Sequence, residues 1–360
     1  MRFQAHEGIA VMNILVIGGT GFISSALVQR LLDAGHSVTI FNRGRRALPF
    51  IGAERLEVIR GDRSVKGAFE RQLRGRVFDA VYDMIAYSGA ESEVAASFFH
   101  GKTGRFIHCS TVSVYMVSTD VRCPITEDQA RAPLMEYWPG NPFGMEYGIS
   151  KRKCEEVLWN AHDEKLLPVT VLRPTFVSGP GDPTRRDYFW MQRIADGGPL
   201  LIPGTGEYRF QQVFIRDVAL AFASVLDHRD SIGHAYNVAG EEEFSLLEYL
   251  RTLASMMGKN PVIVSVPQEQ FDQLSFSSNP AGDVFPFNTR CTAIFSLDAI
   301  QRDLEYRSTP FRQWMAKTIL WWTELERGPS MGYDRRAEEI QCAEKWMKSV
   351  EDQRIQTLNG

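Results

Sequence analysis

A glycine-rich turn directly after a short apolar run is the feature that most limits how this chain can fold. Residues 14–17 (ILVI) form a continuous β-type run, the glycine turn 18–21 follows at once, and apolar residues then recur at helical spacing over 23–32. Glycines permit a tight turn and a close approach of the backbone to a pyrophosphate, while the next helix offers free N–H groups and partial positive charge. The pattern predicts a strand, turn and helix that hold a dinucleotide; a glycine turn that binds nothing is the alternative. We assign cofactor binding here to Gly18, Thr20, Gly21, Phe22 and Ile23.

The first half of the chain repeats this alternation of apolar runs and helical patterns. Six runs are predicted as strands, over residues 14–17, 37–41, 56–59, 77–82, 105–109 and 169–172. Apolar strands separated by helices indicate βαβ units, and such strands are buried on both faces of a parallel sheet. We therefore predict an α/β fold: a Rossmann-like doubly wound parallel sheet with a smaller mixed C-terminal substrate lobe.

The second half is less regular and suggests the domain boundaries. Residues 179–211 are rich in Gly, Pro and Arg and predict loops with a short helix; 213–226 read as a strand end running into a helix. Helices are predicted over 245–257, 296–325 and 333–350. The predicted organisation is a leader (1–11), a dinucleotide-binding domain (12–178 and 212–240), a substrate lobe (179–211 and 241–328) and a C-terminal helical tail (329–360).

Composition narrows the class of protein. The chain has 360 residues, a formal net charge of −4 and no apolar run of the roughly 18 residues that a membrane-spanning helix needs. Bulk charge does not suggest nucleic-acid binding. Its five cysteines are scattered and form no CxxC pair, which favours free thiols in a reducing cytoplasm over a disulfide framework or a metal site.

The end of the second predicted strand bears on the choice of cofactor. Asn42 stands where an acidic residue would accept the ribose 2′-OH of NAD, and Arg43 follows it, with further arginines at 45 and 46. A neutral residue with arginine suits the 2′-phosphate, so NADP is favoured over NAD; a solvated arginine loop is the alternative. Asp62, after the third strand, is predicted either to accept a hydrogen bond from the adenine amino group or to cap a turn.

A tyrosine and a lysine four residues apart are the candidate catalytic pair. Tyr147 and Lys151 share one face if they lie on a helix, and we expect the ammonium to lower the pKa of the phenol. Thr111 follows the fifth strand, and a hydroxyl at the C-terminal tip of a parallel strand faces the ligand crevice. Thr111 is therefore predicted to orient a substrate oxygen near Tyr147.

Together these segments resemble the extended short-chain dehydrogenase/reductase family, the NAD-dependent epimerase/dehydratase group. The matching segments are residues 18–21, 110–115, 147–151, 172–174, 179–182 and 215–219. The resemblance implies that Tyr147 is the acid/base, that Lys151 holds it and the nicotinamide ribose, that Thr111 positions the reacting oxygen and that Pro174 borders the nicotinamide. It also implies a homodimer.

The chain departs from the family pattern in several places. Ser24 replaces the third glycine, Asn42 replaces the acidic ribose ligand, and the Asp-Glu pair that sugar 4,6-dehydratases use for elimination is missing after Thr111. The spacing between Thr111 and Tyr147 is longer than usual, and the excess over 117–145, with Trp138 in it, is predicted as a substrate lid or a plain surface insertion.

The substrate prediction is a sugar or nucleotide-sugar alcohol, with Ser110, Ser113, Arg185 and Arg209 as candidate substrate-binding residues. The predicted function is an NAD(P)-dependent epimerase or oxidoreductase: a retained cofactor gives epimerisation, an exchanging one reduction or oxidation. The alternative is a non-catalytic dinucleotide- or RNA-associated protein with the same fold, since some members with a neutral Asn-Arg-Gly end to the second strand resemble a branch that includes plastid RNA-associated proteins.

Overall fold

The structure, a computed structural model, describes residues 11–51, 53–137, 144–272, 285–287, 290–324, 328–330 and 332–359, with side chains to residue 353. The predicted leader lies, except for residue 11, outside this part of the chain. The strands are β1 (Asn13–Ile17), β2 (Ser37–Asn42), β3 (Leu56–Arg60), β4 (Ala80–Asp83), β5 (Phe106–Cys109), β6 (Val169–Pro174), β7 (Phe176–Ser178), β8 (Leu200–Pro203), β9 (Arg209–Phe214), β10 (Ala235–Val238), β11 (Glu243–Ser245) and β12 (Ile263–Val266). The helices are α1 (Phe22–Asp33), α2 (Ala68–Gln72), α3 (Gly89–Phe99), α4 (Met145–Asp163), α5 (Arg186–Asp196), α6 (Ile215–Ser224), α7 (Leu246–Met256), α8 (Gln268–Asp272), α9 (Asp298–Leu304), α10 (Phe311–Glu324) and α11 (Arg336–Asn359).

A seven-stranded parallel sheet organises the first half of the chain. Its order is β10-β6-β5-β4-β1-β2-β3, and every neighbouring pair runs parallel. The chain moves from β1 outward to β3 and then returns to the other side of β1 with β4. A crevice therefore opens between the carboxyl ends of β1 and β4, the switch point where such sheets bind ligands. The predicted Rossmann-like α/β fold is confirmed.

The strands are apolar because both faces of the sheet are covered. Ile14 and Val16 of β1 face a core that α1 and α6 complete, whereas Leu15 and Ile17 face a core that α3 and α4 complete. All four side chains are fully buried. Alternate residues pointing to opposite cores explain why β1 reads as a continuous apolar run.

The six predicted strands of the sheet are confirmed to within three residues at each end, and β10 is the seventh. One predicted helix is wrong: residues 296–325 form two helices, α9 and α10, joined by a non-helical segment. Glu305 adopts a left-handed backbone (φ 52°) after α9, and Pro310 immediately precedes α10. Proline has no N–H to continue a helix and disfavours helical geometry in the residue before it, so the pattern breaks there.

The second half of the chain forms a smaller lobe with its own aromatic core. It contains a three-stranded sheet (β11-β9-β7) and a parallel pair (β12-β8), so the predicted mixed lobe is present. The tail helix α11 belongs to this lobe, because the buried Arg193 of α5 forms an ion pair with Glu339 (Nε–Oε2 2.9 Å) and Glu339 also pairs with Arg336. The tail therefore packs as an integral part of the lobe.

The sequence predicts free thiols and no membrane-spanning helix. All five cysteines are free thiols, two of them buried. In the described part of the chain, no helix combines the length and the hydropathy needed to cross a membrane.

Candidate active site

Two cavities meet in the crevice at the carboxyl edge of the sheet. The larger measures about 570 Å³ and extends from β5 toward the small lobe. The smaller measures about 370 Å³ and lies beyond the ends of β2 and β3. Gly21, Ile85 and Tyr87 line both cavities, so the two form one bent groove over the glycine turn. Two joined cavities with the glycine turn between them suit a two-part ligand with a central phosphate group.

The glycine turn has the geometry of a phosphate cradle. Gly18 has φ 115°, and a Cβ on Gly19 would lie 2.7 Å from Cγ2 of Ile40, so side chains are excluded at both positions. Helix α1 starts at Phe22 with Gly21 as its N-cap and no side chain capping it, which leaves first-turn N–H groups directed at the groove. The predicted Gly18, Thr20, Gly21, Phe22 and Ile23 all line it. The residues present therefore fit a dinucleotide.

Ser24 replaces the third glycine without opening the turn. Its side chain is buried, and its hydroxyl accepts a hydrogen bond from the Gly21 N–H at 2.9 Å. The serine side chain therefore fits between the helix and the turn.

Asn42 is buried and ties the second strand to the glycine turn. Its Nδ2 donates to the Gly18 carbonyl at 3.1 Å, and its Oδ1 accepts from the Gly44 N–H at 2.8 Å. The amide therefore positions the turn and the following loop. Arg43, with the neighbouring arginines 45 and 46, lines the smaller cavity and is exposed to it.

Asp62 lies in the same cavity but is engaged locally. Its Oδ1 accepts from the backbone N–H and the hydroxyl of Ser64, at 3.0 and 2.7 Å, which is a turn-capping arrangement. The Ser64 hydrogen bonds hold the pKa of Asp62 below its usual value, with nearby arginines adding to the effect. The following Arg63 is buried against Asp83 at the end of β4, at 2.5 Å. Asp62 meets the cavity as a permanently charged carboxylate at neutral pH.

Tyr147 and Lys151 lie one turn apart on α4 and line the larger cavity. Lys151 is buried, and its Nζ donates to the Cys109 carbonyl at 2.7 Å, next to the tip of β5. Helix α4 comes this close because Gly148 has no side chain: a Cβ there would lie 2.6 Å from the Ser113 carbonyl oxygen. Thr111 lies on the same wall and shares a hydrogen bond with the Tyr147 phenol. The structure therefore brings the three predicted catalytic residues together.

The predicted effect of Lys151 on Tyr147 is wrong for the isolated chain. Desolvation raises the pKa of the Tyr147 phenol, with Cys109 and Tyr87 adding to the rise and the Thr111 hydrogen bond opposing it. The Lys151 ammonium is directed to the Cys109 carbonyl and lies 5.0 Å from the Tyr87 ring centroid. The tyrosine is therefore a neutral phenol across the physiological pH range.

Ser110, a predicted substrate-binding residue, lines the larger cavity, and its hydroxyl is bonded to a buried carboxylate. The hydroxyl donates to Glu155 of α4. Glu155 also forms a two-point ion pair with Arg173 of β6, with Nε–Oε1 at 2.9 Å and Nη2–Oε2 at 2.5 Å. Both charged side chains are at least 94% buried. This pair fixes the tip of β5, and with it Thr111, relative to the helix that carries Tyr147.

The same network anchors the described part of the insertion over 117–145. Arg173 Nη1 donates to the Glu127 carbonyl at 2.8 Å and to the Tyr115 hydroxyl at 2.7 Å, and that hydroxyl donates to Asn237 Oδ1 at 2.6 Å. Residues 138–143, with the predicted Trp138, lie outside the described residues. Up to residue 137 the insertion is held to the sheet by buried polar contacts.

The remaining predicted site residues lie in different places: two line the larger cavity and two do not. Ser113 lines the larger cavity beside Thr111, and Pro174 lines it at the end of β6. Arg185 is exposed beside a separate small cavity, with its guanidinium 5.6 Å from the Tyr188 ring centroid. Arg209 is held outside the crevice by other residues, Glu243 at 3.2 Å and Glu248 at 3.1 Å. Neither arginine lines the larger cavity.

Sequence reasoning missed several residues of the site. Glu155 continues the four-residue spacing of Tyr147 and Lys151, so helical periodicity alone predicts that it shares their face. Tyr87 follows the end of β4 and was detectable as a residue at the carboxyl end of a parallel strand. The phenylalanines of the larger cavity come from separate segments, and no local pattern links them.

The fold and this groove define a dinucleotide-dependent enzyme of the extended short-chain dehydrogenase/reductase type. The family model for the NAD dependent epimerase/dehydratase family matches residues 14–239, and the chain belongs to that family. The resemblance predicted from the motifs is therefore confirmed.

Individual relatives have low sequence identity to this chain. The chain is 26% identical over 273 residues to the chloroplast stem-loop binding protein of 41 kDa b of Arabidopsis thaliana, covering 72% of this chain and 67% of that protein. It is 29% identical over 269 residues to 2-alkyl-3-oxoalkanoate reductase of Stenotrophomonas maltophilia, covering 69% and 76%. The crystal structure of UDP-glucuronic acid 4-epimerase from Bacillus cereus in complex with NAD superposes with a TM-score of 0.64 at 21% identity, covering 85% and 97%. That structural likeness establishes the fold.

The buried Glu155–Arg173 pair is predicted to contribute to the stability of the fold. Glu155→Gln removes one charge of a buried pair and leaves Arg173 uncompensated, so we expect the free energy of unfolding to fall by about 3–5 kcal/mol. Glu57→Gln is the control, because Glu57 also forms a two-point ion pair, with Arg76, but at the surface, where such a pair contributes less than about 1 kcal/mol. Chemical denaturation measures both, and equal losses would contradict the assigned role.

Proposed function

We propose that this protein is an NADP-dependent oxidoreductase that transfers hydride between the cofactor and a carbonyl or carbinol carbon, with Tyr147 as the proton donor and acceptor. The observation that carries the proposal is the joint position of Thr111, Tyr147 and Lys151 on the wall of a cavity that continues into a dinucleotide-shaped groove. Family membership supplies the expectation of a nicotinamide cofactor.

The chain's own groups divide the chemistry between them. A nicotinamide, when bound, supplies or accepts the hydride. Tyr147, a neutral phenol in this structure, donates its proton to a carbonyl oxygen, and the family resemblance assigns the buried Lys151 ammonium to the nicotinamide ribose. Thr111 is placed to hold the same oxygen.

The preference for NADP rests on the smaller cavity. Asn42 offers no carboxylate to a ribose 2′-OH, and its amide is already bonded to the Gly18 carbonyl and the Gly44 N–H. Arg43 and its neighbours supply exposed guanidinium groups that suit a 2′-phosphate. A phosphate-selective pocket supports a cofactor that exchanges, hence a reductase in preference to an epimerase. The reductase from Stenotrophomonas maltophilia among its relatives agrees in reaction type.

Two further features stay predictions. The sugar substrate has its support in the family and in the Bacillus cereus epimerase, whereas the positions of Arg185 and Arg209, which do not line the cavity, argue against a nucleotide sugar. The homodimer and the cytoplasmic location rest on the resemblance and on cysteine usage.

A second candidate function is RNA binding, and a surface charge favours it. Between residues 43 and 76 the chain carries ten Lys/Arg and four Asp/Glu, although its net charge is −4. Arg60 is exposed at the end of β3, the edge strand of the sheet, and Arg43 is exposed directly after the neighbouring β2. Phosphate backbones bind such surfaces through counterion release. The stem-loop binding protein of Arabidopsis thaliana is among the relatives.

Tyr147→Phe tests the catalytic assignment. Removal of the hydroxyl deletes the proton donor, so we expect turnover of any carbonyl compound reduced by the wild type to fall about 10²- to 10⁴-fold. The affinity for NADPH, measured by fluorescence titration, should stay unchanged. Tyr208→Phe is the control, because Tyr208 is exposed and does not line either cavity. Wild-type turnover in Tyr147→Phe would contradict the mechanism.

Arg43→Ala tests the cofactor preference. The loss of a charge-assisted bond to the 2′-phosphate should weaken NADPH binding about tenfold and leave NADH binding nearly unchanged. Arg55→Ala removes the same charge at the opposite end of β3, where Arg55 bonds to the Gly35 carbonyl, and should affect neither. Calorimetric titration of both dinucleotides measures the difference; equal weakening of NADPH and NADH would show that Arg43 does not read the phosphate.

The RNA alternative predicts competition. Because Arg43 borders both the edge of the sheet and the smaller cavity, saturating NADPH should release a labelled RNA stem-loop, and binding should weaken steeply with added salt. Gel-shift titration with and without NADPH measures this. An RNA affinity that Arg43→Ala and NADPH both leave unchanged would assign the binding to another surface, and no shift at low salt would eliminate this candidate.

A further inference from the structure

The outer part of the larger cavity is lined by aromatic side chains. Phe176, Phe210, Phe287 and Phe295, here called the aromatic wall, come from β7, β9 and two segments before α9. The rings of Phe210 and Phe287 stack with centroids 5.0 Å apart, and Phe176 meets Phe287 edge-on at 5.4 Å. Phe210, Phe287 and Phe295 are buried, so the partly buried Phe176 presents most of the ring surface of the aromatic wall to the cavity, on a rigid apolar backing.

The aromatic wall lines the same cavity as the catalytic residues Thr111 and Tyr147. Val112 and Met116 follow Thr111 in sequence and line the same cavity, which places apolar groups on the side of the catalytic hydroxyls as well. A carbonyl group held between Thr111 and Tyr147 would therefore extend its substituents into an apolar chamber.

The charges of this cavity do not suit a nucleoside diphosphate. Among the described residues that line it, Lys151 and Arg186 are the cations. Lys151 is buried beside the catalytic tyrosine and bonded to the Cys109 carbonyl. Arg186 donates to the Thr184 hydroxyl at 3.0 Å, lies 5.2 Å from the Phe176 ring centroid, and shares the cavity with the acidic Asp182.

The arginine at the start of β9 is also unavailable. Arg209 is held by two carboxylates of the small lobe, Glu243 and Glu248, outside the crevice. A diphosphate bound in the cavity would face one partly balanced guanidinium, whereas burying two phosphate charges requires several charge-assisted bonds.

We propose that the substrate is a largely apolar ketone, or the matching secondary alcohol, whose aryl or alkyl group packs against the aromatic wall, and that a nucleotide sugar is excluded. The inference rests on the proposed hydride-transfer function. In the reduction, the carbonyl carbon gains a hydride from the reduced nicotinamide and its oxygen gains the Tyr147 proton. The C=O π bond breaks, an alcohol and the oxidised dinucleotide form, and solvent reprotonates Tyr147.

The aromatic wall sets the expected selectivity. Burying a phenyl-sized group contributes about 1.5–3 kcal/mol, or roughly 10- to 100-fold in affinity. Benzylacetone and butanone share the same methyl ketone and differ by that group. We therefore expect a KM for benzylacetone at least about tenfold below that for butanone, with NADPH as reductant and absorbance as the measurement.

A substitution in the wall should remove this difference. Phe176→Ala is chosen because Phe176 is only partly buried and its loss opens the cavity without emptying the core. It should raise the KM for benzylacetone about tenfold and leave that for butanone unchanged. Phe244→Ala is the matched control, because Phe244 is also partly buried and packs on Phe311 without lining the cavity.

UDP-galactose is the probe that separates this inference from the proposed function. We expect no epimerisation, no oxidation with NADP and no binding by calorimetry. Turnover of UDP-galactose that Tyr147→Phe abolishes would overturn the apolar substrate and leave the hydride-transfer function standing. Ketone reduction that Tyr147→Phe leaves intact would overturn the proposed function itself. Reduction of neither ketone by an enzyme that binds NADPH would also overturn the apolar substrate.

Discussion

The buried ion pair between Glu155 and Arg173 is the interaction on which the geometry of the active site depends. Charges this deep in a protein are costly unless every lone pair and donor is used, and here they are shared among Ser110, Tyr115 and the Glu127 carbonyl. Helix α4, the tip of β5 and strand β6 can satisfy the pair only in one relative position. That position sets the distance between the threonine and tyrosine hydroxyls.

The two cavities of the groove differ in polarity, although both lie at the carboxyl edge of the same sheet. The carboxyl ends of β2 and β3 carry an exposed arginine loop after Asn42, where a phosphate can bind and still be reached by solvent. The cavity past β5 lies between the sheet and the small lobe, whose phenylalanines make much of its lining apolar. Charge therefore serves recognition at one end, and low polarity serves proton transfer at the other.

The sequence predicts strands and helix faces, which depend on local patterns of residues. It does not predict contacts between segments that are far apart in the chain. Continuous apolar runs predict the strands, since a strand covered on both faces has no polar side to show. The Tyr147–Lys151 spacing predicts a shared helix face, but not the desolvation that raises the pKa of the phenol. From the sequence, Arg209 is predicted to bind substrate, but in the folded chain it forms ion pairs with Glu243 and Glu248. The aromatic wall joins segments more than a hundred residues apart, which no periodicity reports.

Ser24 bears on the choice between a retained and an exchanging cofactor. In a turn with a third glycine, the Gly21 N–H would be open to a pyrophosphate oxygen, whereas here it donates to the Ser24 hydroxyl. Hydrogen bonds to a charged group contribute about 1.5–3 kcal/mol each, so one donor fewer weakens the hold on the phosphates. The 2′-phosphate contacts proposed for the arginine loop would lie at the solvent-exposed end and would restore selectivity without enclosing the ligand. Both features favour a dinucleotide that binds, reacts and leaves, as the proposed reductase requires.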